Sequence, residues 1–572
     1  MRPHLSFWFA VIVAVGTAGS MQAQQAPPAP PAEKPATTFK ARTELVSVPV
    51  IVTDKSGKHL TGLKQTDFVV EENGHRREIA NFEEVMTSAA PIKRETQPKF
   101  QFSNFVDTGG QPRRITIIVL DLFNTPFAHQ ADARRQIVKF LADHLQDNGP
   151  TSLTVLNGRG LRQVHSFTSD TSVLIAALKK MESAPSVQDE IVTGTAIDPE
   201  SSNPLNDLSA SNSPTAEMQQ LQEIFAERSD ALYGAYKQRV QTLVTLDALN
   251  QLAESYAGIP GRKALIWTTG GLPFLLNDPN SISGIDTTLM DNYRRTWQAL
   301  NSANISVYPI DAQGLLGPDL TARGMNASRP MRPNNGRGLP PPTPLPVSAR
   351  QNAQDSLRAF AQATGGTACI NQNDLASCFA RAEQDSSQYY LLSYYLPEND
   401  RKPGWRKLKV HVAPAHGEIR ARDGFYVGDT PPPDSKSARQ EFDLAFASPL
   451  EYTAIPLALS FTGVTPADGG ARTVAFKLHF VSNGIFIDTA ENNAVRLEID
   501  SIATDEKGKS VRVFSKVINA HLKADALPNV TQNGFRFSGE FNLAKGRYQL
   551  KFVVRDDLAG KIGSVAAPVQ ID

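Results

Sequence analysis

"IIVLDLFNTPF", residues 117–127, decides how the rest of the chain is read. With the residues before it, "RITIIVLD" (114–121), it makes an unbroken β-branched run that ends on an aspartate and passes into small polar residues and a proline. A strand buried on both faces needs such a run, because neither side can be polar. Downstream, Ile137, Phe140, Leu141 and Leu145 recur at helical spacing, "TSLTVLN" (151–157) is a second strand, and "LRQVHSFT" (161–168) reads as a short edge strand. Tyr236, Val240, Leu243, Leu246 and Leu249 then form one helical stripe, before "GRKALIWTTGG" (261–271) and "NISVYPIDAQG" (304–314) restore the strand signal. "SLRAFAQATGGTACI" reads as helix, glycine cap and strand; "QYYLLSYYLP" (388–397) and "RKLKVHV" (406–412) close the unit. Strands alternating with helices predict a mostly parallel, doubly wound α/β sheet.

The chain's 572 residues exceed a single core, and at roughly 100 to 200 residues per domain they suggest about three units. Lys plus Arg (58) balance Asp plus Glu (58), so no basic field points to nucleic acid. The start, "MRPHLSFWFAVIVAVGTAGSMQAQQ", predicts a signal peptide over 1–23, cut after Ala23. Its apolar run falls short of the ~20 residues that span a bilayer, and no later segment is apolar enough. Export to the periplasm or outside the cell is expected, with no transmembrane segment after cleavage. The two cysteines, Cys369 and Cys378, favour a disulfide in such a compartment; two buried free thiols are the alternative.

Around the α/β unit, residues 24–41 read as a Pro/Ala-rich linker and 42–86 as a small β unit with a hairpin at Asn73-Gly74. Residues 86–112 read as linker. The α/β unit spans 113–427 and carries insertions of disordered composition at 184–216 and 317–350. A linker over 428–450 leads to a β-sandwich over 451–572, where Val474, Phe476, Leu478 and Phe480 alternate, as do Tyr548, Leu550 and Phe552. "KGRYQLKFVVRD" sets a glycine turn before a tyrosine and an alternating strand, an arrangement common in immunoglobulin-like sandwiches.

Asp121 sits at a strand's carboxyl end, where open α/β sheets bind ligands. The stretches "TIIVLDLFNTPF", "LRQVHSFTSD", "GRKALIWTTGGLPF", "ISVYPIDAQGL", "LRAFAQATGGTA", "SQYYLLSYY" and "ARDGFYV", with the upstream "VPVIVTDKSGKHLTGLKQTDFVVEENG", resemble a von Willebrand factor A domain. The similarity is closer to the VWFA-related variety of acidobacterial proteins, and it covers residues 42–427. It implies a Rossmann-like, von Willebrand A-like α/β domain. It also implies a metal-ion adhesion site, in which a DxSxS motif, a loop threonine and a later aspartate hold a cation whose open position takes a partner's carboxylate.

Here the matching stretch is Asp121-Leu122-Phe123-Asn124-Thr125, so Phe123 replaces one ligand hydroxyl, and Thr268 and Thr269 stand where the later aspartate would be. The loop threonine has no match in the sequence. What survives of the metal reading is a weak Mg²⁺ or Mn²⁺ site through Asp121 and Thr125; otherwise Asp121 caps a loop or helix. Asp121, Asn124, Thr125, Thr268, Thr269, Gly270 and Gly271 are the expected binding crevice. Neither GxSxG, HExxH, a Walker loop nor a strand-following GxGxxG occurs. Glu71 with Glu72 and Asp556 with Asp557 read as solvated turns, and His411 and His416 as residues on opposite strand faces. The expected function is non-enzymatic protein recognition or adhesion, with a protein partner in the cell envelope or outside the cell. A hydrolase assembled at the same crevice and a structural module of an envelope assembly are the alternatives.

Overall fold

The computed structural model describes residues 44–87, 100–104, 114–143, 149–181, 238–272, 287–314, 349–396, 400, 402–413, 418–427, 436–481 and 484–572. The expected signal peptide, the linker over 24–41, the insertion over 184–216 and nearly all of 317–350 lie outside these residues.

Every residue of the Ile115–Asp121 strand is buried, because helices cover both faces of its sheet. Ile115, Ile117 and Val119 pack against helices 238–256, Thr287–Ser302 and Ala349–Thr364. Ile118 and Leu120 pack against Phe127–Asp143, Thr171–Met181 and Leu375–Ser387 on the other side. In the sheet, Ile305–Asp311, Lys263–Thr269, Ile115–Asp121 and Thr151–Asn157 lie side by side and parallel, and Gly160–Thr168 is an antiparallel edge strand. The chain therefore builds outward on one side of Ile115–Asp121 and then returns to build on its other side. The crevice between the ends of Ile115–Asp121 and Lys263–Thr269 is the topological switch point, where loops diverge to opposite faces.

Helix Ala349–Thr364 stops at Gly365, whose φ of +74° is a left-handed cap conformation that glycine adopts without strain. Two residues beyond Thr367, Cys369 adds a one-residue parallel bridge opposite Ile310 at the free edge of the sheet. Cys369 and Cys378 form a disulfide, with a Cα–Cα distance of 6.0 Å, that ties this edge to helix Leu375–Ser387.

Strands Gln388–Leu396 and Gly404–Val412 do not close the α/β sheet, in contrast to the expectation from the strand–helix alternation. Gln388–Leu396 pairs antiparallel with Glu44–Val52 in the order Ile419–Arg420, Glu44–Val52, Gln388–Leu396, Asn81–Met86. Gly404–Val412 pairs with Phe68–Glu72 and Gly424–Val427 in a second sheet that His75–Arg77 completes. Val48, Val50, Phe68, Val70, Tyr394 and Leu408 fill the shared core between the two sheets. The N-terminal β unit is thus built from 44–87 and 388–427 together, and the α/β residues 114–387 are inserted within it.

Two more boundaries move. Gln101–Ser103, inside the expected linker over 86–112, pairs with Leu457–Pro466. Lys436–Ala447, inside the expected linker over 428–450, is a helix whose Phe442 and Ala445 pack on Tyr452, Val553 and Ile562. Both segments carry enough apolar side chain to dock, which their polar neighbours mask in a reading by composition. Beyond them, two four-stranded antiparallel sheets share one core, with Leu457, Val474 and Phe476 facing Ile499, Leu550 and Phe552. No helix among the described residues is long and apolar enough to cross a membrane.

Candidate functional site

Asp121 ends its strand fully buried, and both carboxylate oxygens are occupied by donors from within the chain. Oδ1 accepts from the backbone N–H of Phe123 (3.1 Å) and of Asn124 (2.9 Å). Oδ2 accepts from the Asn124 side-chain amide (2.7 Å), the Trp267 indole Nε1 (3.1 Å) and the Thr269 hydroxyl (2.8 Å). Burial pushes the Asp121 carboxyl above its ordinary range, and the hydrogen bonds from Asn124, Thr269 and Trp267 act against that shift.

Strand periodicity explains why these groups meet. Asp121, Trp267 and Thr269 share one face of adjacent parallel strands, whereas Thr268 points to the other face. Thr268 is fully buried, and its hydroxyl has no hydrogen-bond partner among the described residues. Thr268 is therefore separated from the Asp121 cluster, contrary to its place in the expected crevice. Phe123, at the position of a ligand hydroxyl in the resemblance, packs against the core on the Trp267 side.

The loop after Asp121 is fastened from several directions. The Asn124 amide bridges Asp121 to the Thr245 hydroxyl (2.8 Å) on helix 238–256. Gln130, on helix Phe127–Asp143, donates to the carbonyls of Leu122 (3.0 Å) and Thr125 (3.1 Å). Gly270 lies so close that a Cβ there would come within 2.4 Å of the Asn124 carbonyl, so no larger residue fits without moving the loop. The Thr269 hydroxyl also accepts from the Gly271 N–H (3.1 Å), which holds the turn after the strand.

A second carboxylate ends the next strand. Asp311 accepts from the Gln313 N–H (2.9 Å) and the Gln354 side chain (2.9 Å), while Gln313 donates to the Gly270 carbonyl (2.9 Å). Trp267, Thr245, Gln130, Asp311 and Gln354 were not read as site residues from the sequence. Asp311 had the same signal as Asp121, an acid closing an apolar strand; the others carry no local signal.

A divalent cation does not fit the donors described. It needs several oxygens and enough negative charge to offset its dehydration. The one carboxylate at the centre of the crevice is taken up by five donors, and the oxygens of its loop without a partner among the described residues, Asn124 Oδ1 and Thr125 Oγ1, are neutral. Among the described residues, no group of three or more His, Cys, Asp or Glu side chains could hold a metal ion.

The acidic pairs elsewhere are also structural. Glu72 is buried, accepting from Tyr394 Oη (2.9 Å) and Arg77 Nε (3.2 Å), and Asp556 is buried, accepting from the N–H groups of Phe486, Leu558 and Ala559. This corrects the reading of both as solvated turns: Glu72 ends its strand paired with side-chain donors, and Asp556 ends its strand by closing backbone N–H groups. His411 lies 3.7 Å from Glu71 across the strand pair, and His416 is outside the described residues. No protein-family model matches this chain, and no curated protein matches it.

Proposed function

We propose that the chain is an exported, non-enzymatic protein-recognition module built on a von Willebrand A-like scaffold, whose adhesion crevice has lost its cation. The observation that carries this reading is the Asp121 carboxylate, held by five internal donors at the switch point of the sheet. A carboxylate so engaged is a poor general base and a poor metal ligand, because each role needs a lone pair aimed outward. It serves instead as a fixed anchor for the loop from Leu122 to Thr125. The order of the central strands, with one antiparallel edge next to Thr151–Asn157, supports the scaffold assignment. The Cys369–Cys378 disulfide fits an oxidising compartment.

The test is thermal denaturation of the purified chain with and without Mg²⁺ and Mn²⁺. Ligands that bind only the folded state raise Tm. The expected result is no rise with either ion in the wild type. A rise that Asp121→Ala removes would assign a working cation site and overturn the metal-free reading.

A further inference from the structure

We infer that a cavity between the N-terminal β unit and the α/β unit is a binding site for a small carboxylate, with Arg422 as its cationic anchor. The cavity measures about 130 Å³ and lies where strand Glu44–Val52 and the segment around Arg422 to Tyr426 face the end of helix Thr287–Ser302. At ~30 Å³ of liquid volume per water, it holds a molecule of a few non-hydrogen atoms. Its rim is open, since Leu45 is 45% exposed and Ser302 is also exposed.

Arg422 is 8% exposed, and the charge of its guanidinium is not neutralised by any carboxylate among the described residues. Nη2 donates to the Ser47 carbonyl (2.7 Å), one face rests 5.5 Å from the Phe425 ring centroid, and Nε is buried with no hydrogen-bond partner among the described residues. Buried cations in proteins are normally paired, because an unpaired one forfeits its hydration without recovering it. Here burial pushes the guanidinium down to about 10, which is the physical mark of that deficit. The chain thus holds a cation at a polar cavity in a state that an incoming anion would relieve.

The lining specifies the anion. Gln298, Asn301 and Ser47 contribute neutral polar groups to the wall, and Tyr426 closes another side. One cation among neutral groups balances one negative charge, and a planar guanidinium presents its donors in the plane of a carboxylate. A phosphate carries more charge than one guanidinium offsets, so it is matched less well. Asn301 is itself held by its amide, which donates to the Ala363 carbonyl (3.1 Å), so this part of the wall is preorganised.

The experiment is calorimetric titration and thermal denaturation of the full chain with acetate, and in parallel with phosphate, both at constant ionic strength. Acetate is expected to bind with saturation and to raise Tm, with phosphate at least tenfold weaker. Because Arg422 also supports the Ser47 carbonyl, Arg422→Gln could lose the fold; Gln298→Glu is the informative variant. It places a carboxylate on the cavity wall, so it is expected to raise Tm without ligand and to weaken acetate at least tenfold. Peptides with a free and with an amidated C-terminus separate the sources of the carboxylate: a small free molecule predicts that acetate outcompetes both. Failure of acetate to bind, equal binding of phosphate, tighter binding of the free-terminus peptide, or undiminished acetate binding in Gln298→Glu would overturn the inference.

Discussion

Replacing one oxygen of Asp121 by an amide separates the two roles this residue could have. In Asp121→Asn, whichever atom becomes Nδ2 must face donors, since Oδ2 now accepts from Asn124, Trp267 and Thr269 and Oδ1 from two backbone N–H groups. The Thr269 hydroxyl and the Asn124 amide can turn to accept, but the Trp267 indole and the backbone N–H groups cannot, so at least one buried donor loses its partner. Such a loss costs about 1–3 kcal/mol per group, and denaturant unfolding should show the variant less stable by about 2–4 kcal/mol. If stability were unchanged, the carboxylate would not be the anchor described. The aspartate was legible because an acid ending an apolar strand is a local pattern. Its indole partner was not, nor was the threonine that holds Asn124, because Trp267 and Thr245 lie 146 and 121 positions from the residues they bond, and strand and helix periodicity describes only near neighbours.

Elements show the same division between local and distant information. The runs that form Ile115–Asp121, Lys263–Thr269 and Ile305–Asp311 carry their own burial on both faces, so an unbroken apolar text sufficed to find them. "QYYLLSYYL" has an equally apolar text, but its partner is Glu44–Val52, and nothing in a strand's composition states which strand it pairs with or in which direction. The helix over Lys436–Ala447 was hidden by a polar, proline-rich approach. The disulfide belongs to this scale, because it closes a loop of nine positions between the sheet edge and helix Leu375–Ser387. Loop-closure entropy for so short a loop is worth about 2–3 kcal/mol. Cys369→Ser should lose about that much in denaturant unfolding under oxidising conditions, and the wild type should fall to the same level on reduction. A loss that reduction does not reproduce would place the effect in packing at Cys369 and not in the crosslink.

At the scale of the whole molecule, the α/β unit meets the C-terminal sheets through helix 238–256. Thr453 donates to the Ser255 carbonyl (2.7 Å) and accepts from the Gly258 N–H (3.0 Å), and Leu450 enters the α/β core. Beside this junction burial raises Glu254 to about 7, with Glu441 on helix Lys436–Ala447 adding like-charge repulsion, and burial raises Glu441 as well. A carboxyl whose folded pKa lies above its unfolded value favours the fold when protonated. Its contribution is fully present below the unfolded pKa of about 4.5 and is lost as pH rises through about 7. Because Glu254 is only half-buried, solvent screens part of this, leaving about 1–2 kcal/mol. Asp385 has the opposite sign: burial acts to raise it, but His59 and the Arg420 guanidinium outweigh that and hold it below the ordinary range, so its contribution is lost only in acid, below about pH 4. The difference between wild type and Glu254→Gln isolates the junction, since every other titrating group is common to both. The variant should match the wild type near pH 4.5 and exceed it by about 1–2 kcal/mol at pH 8 in denaturant unfolding. A constant difference across that range would mean that the carboxylates do not strain the contact between the α/β unit and the C-terminal sheets.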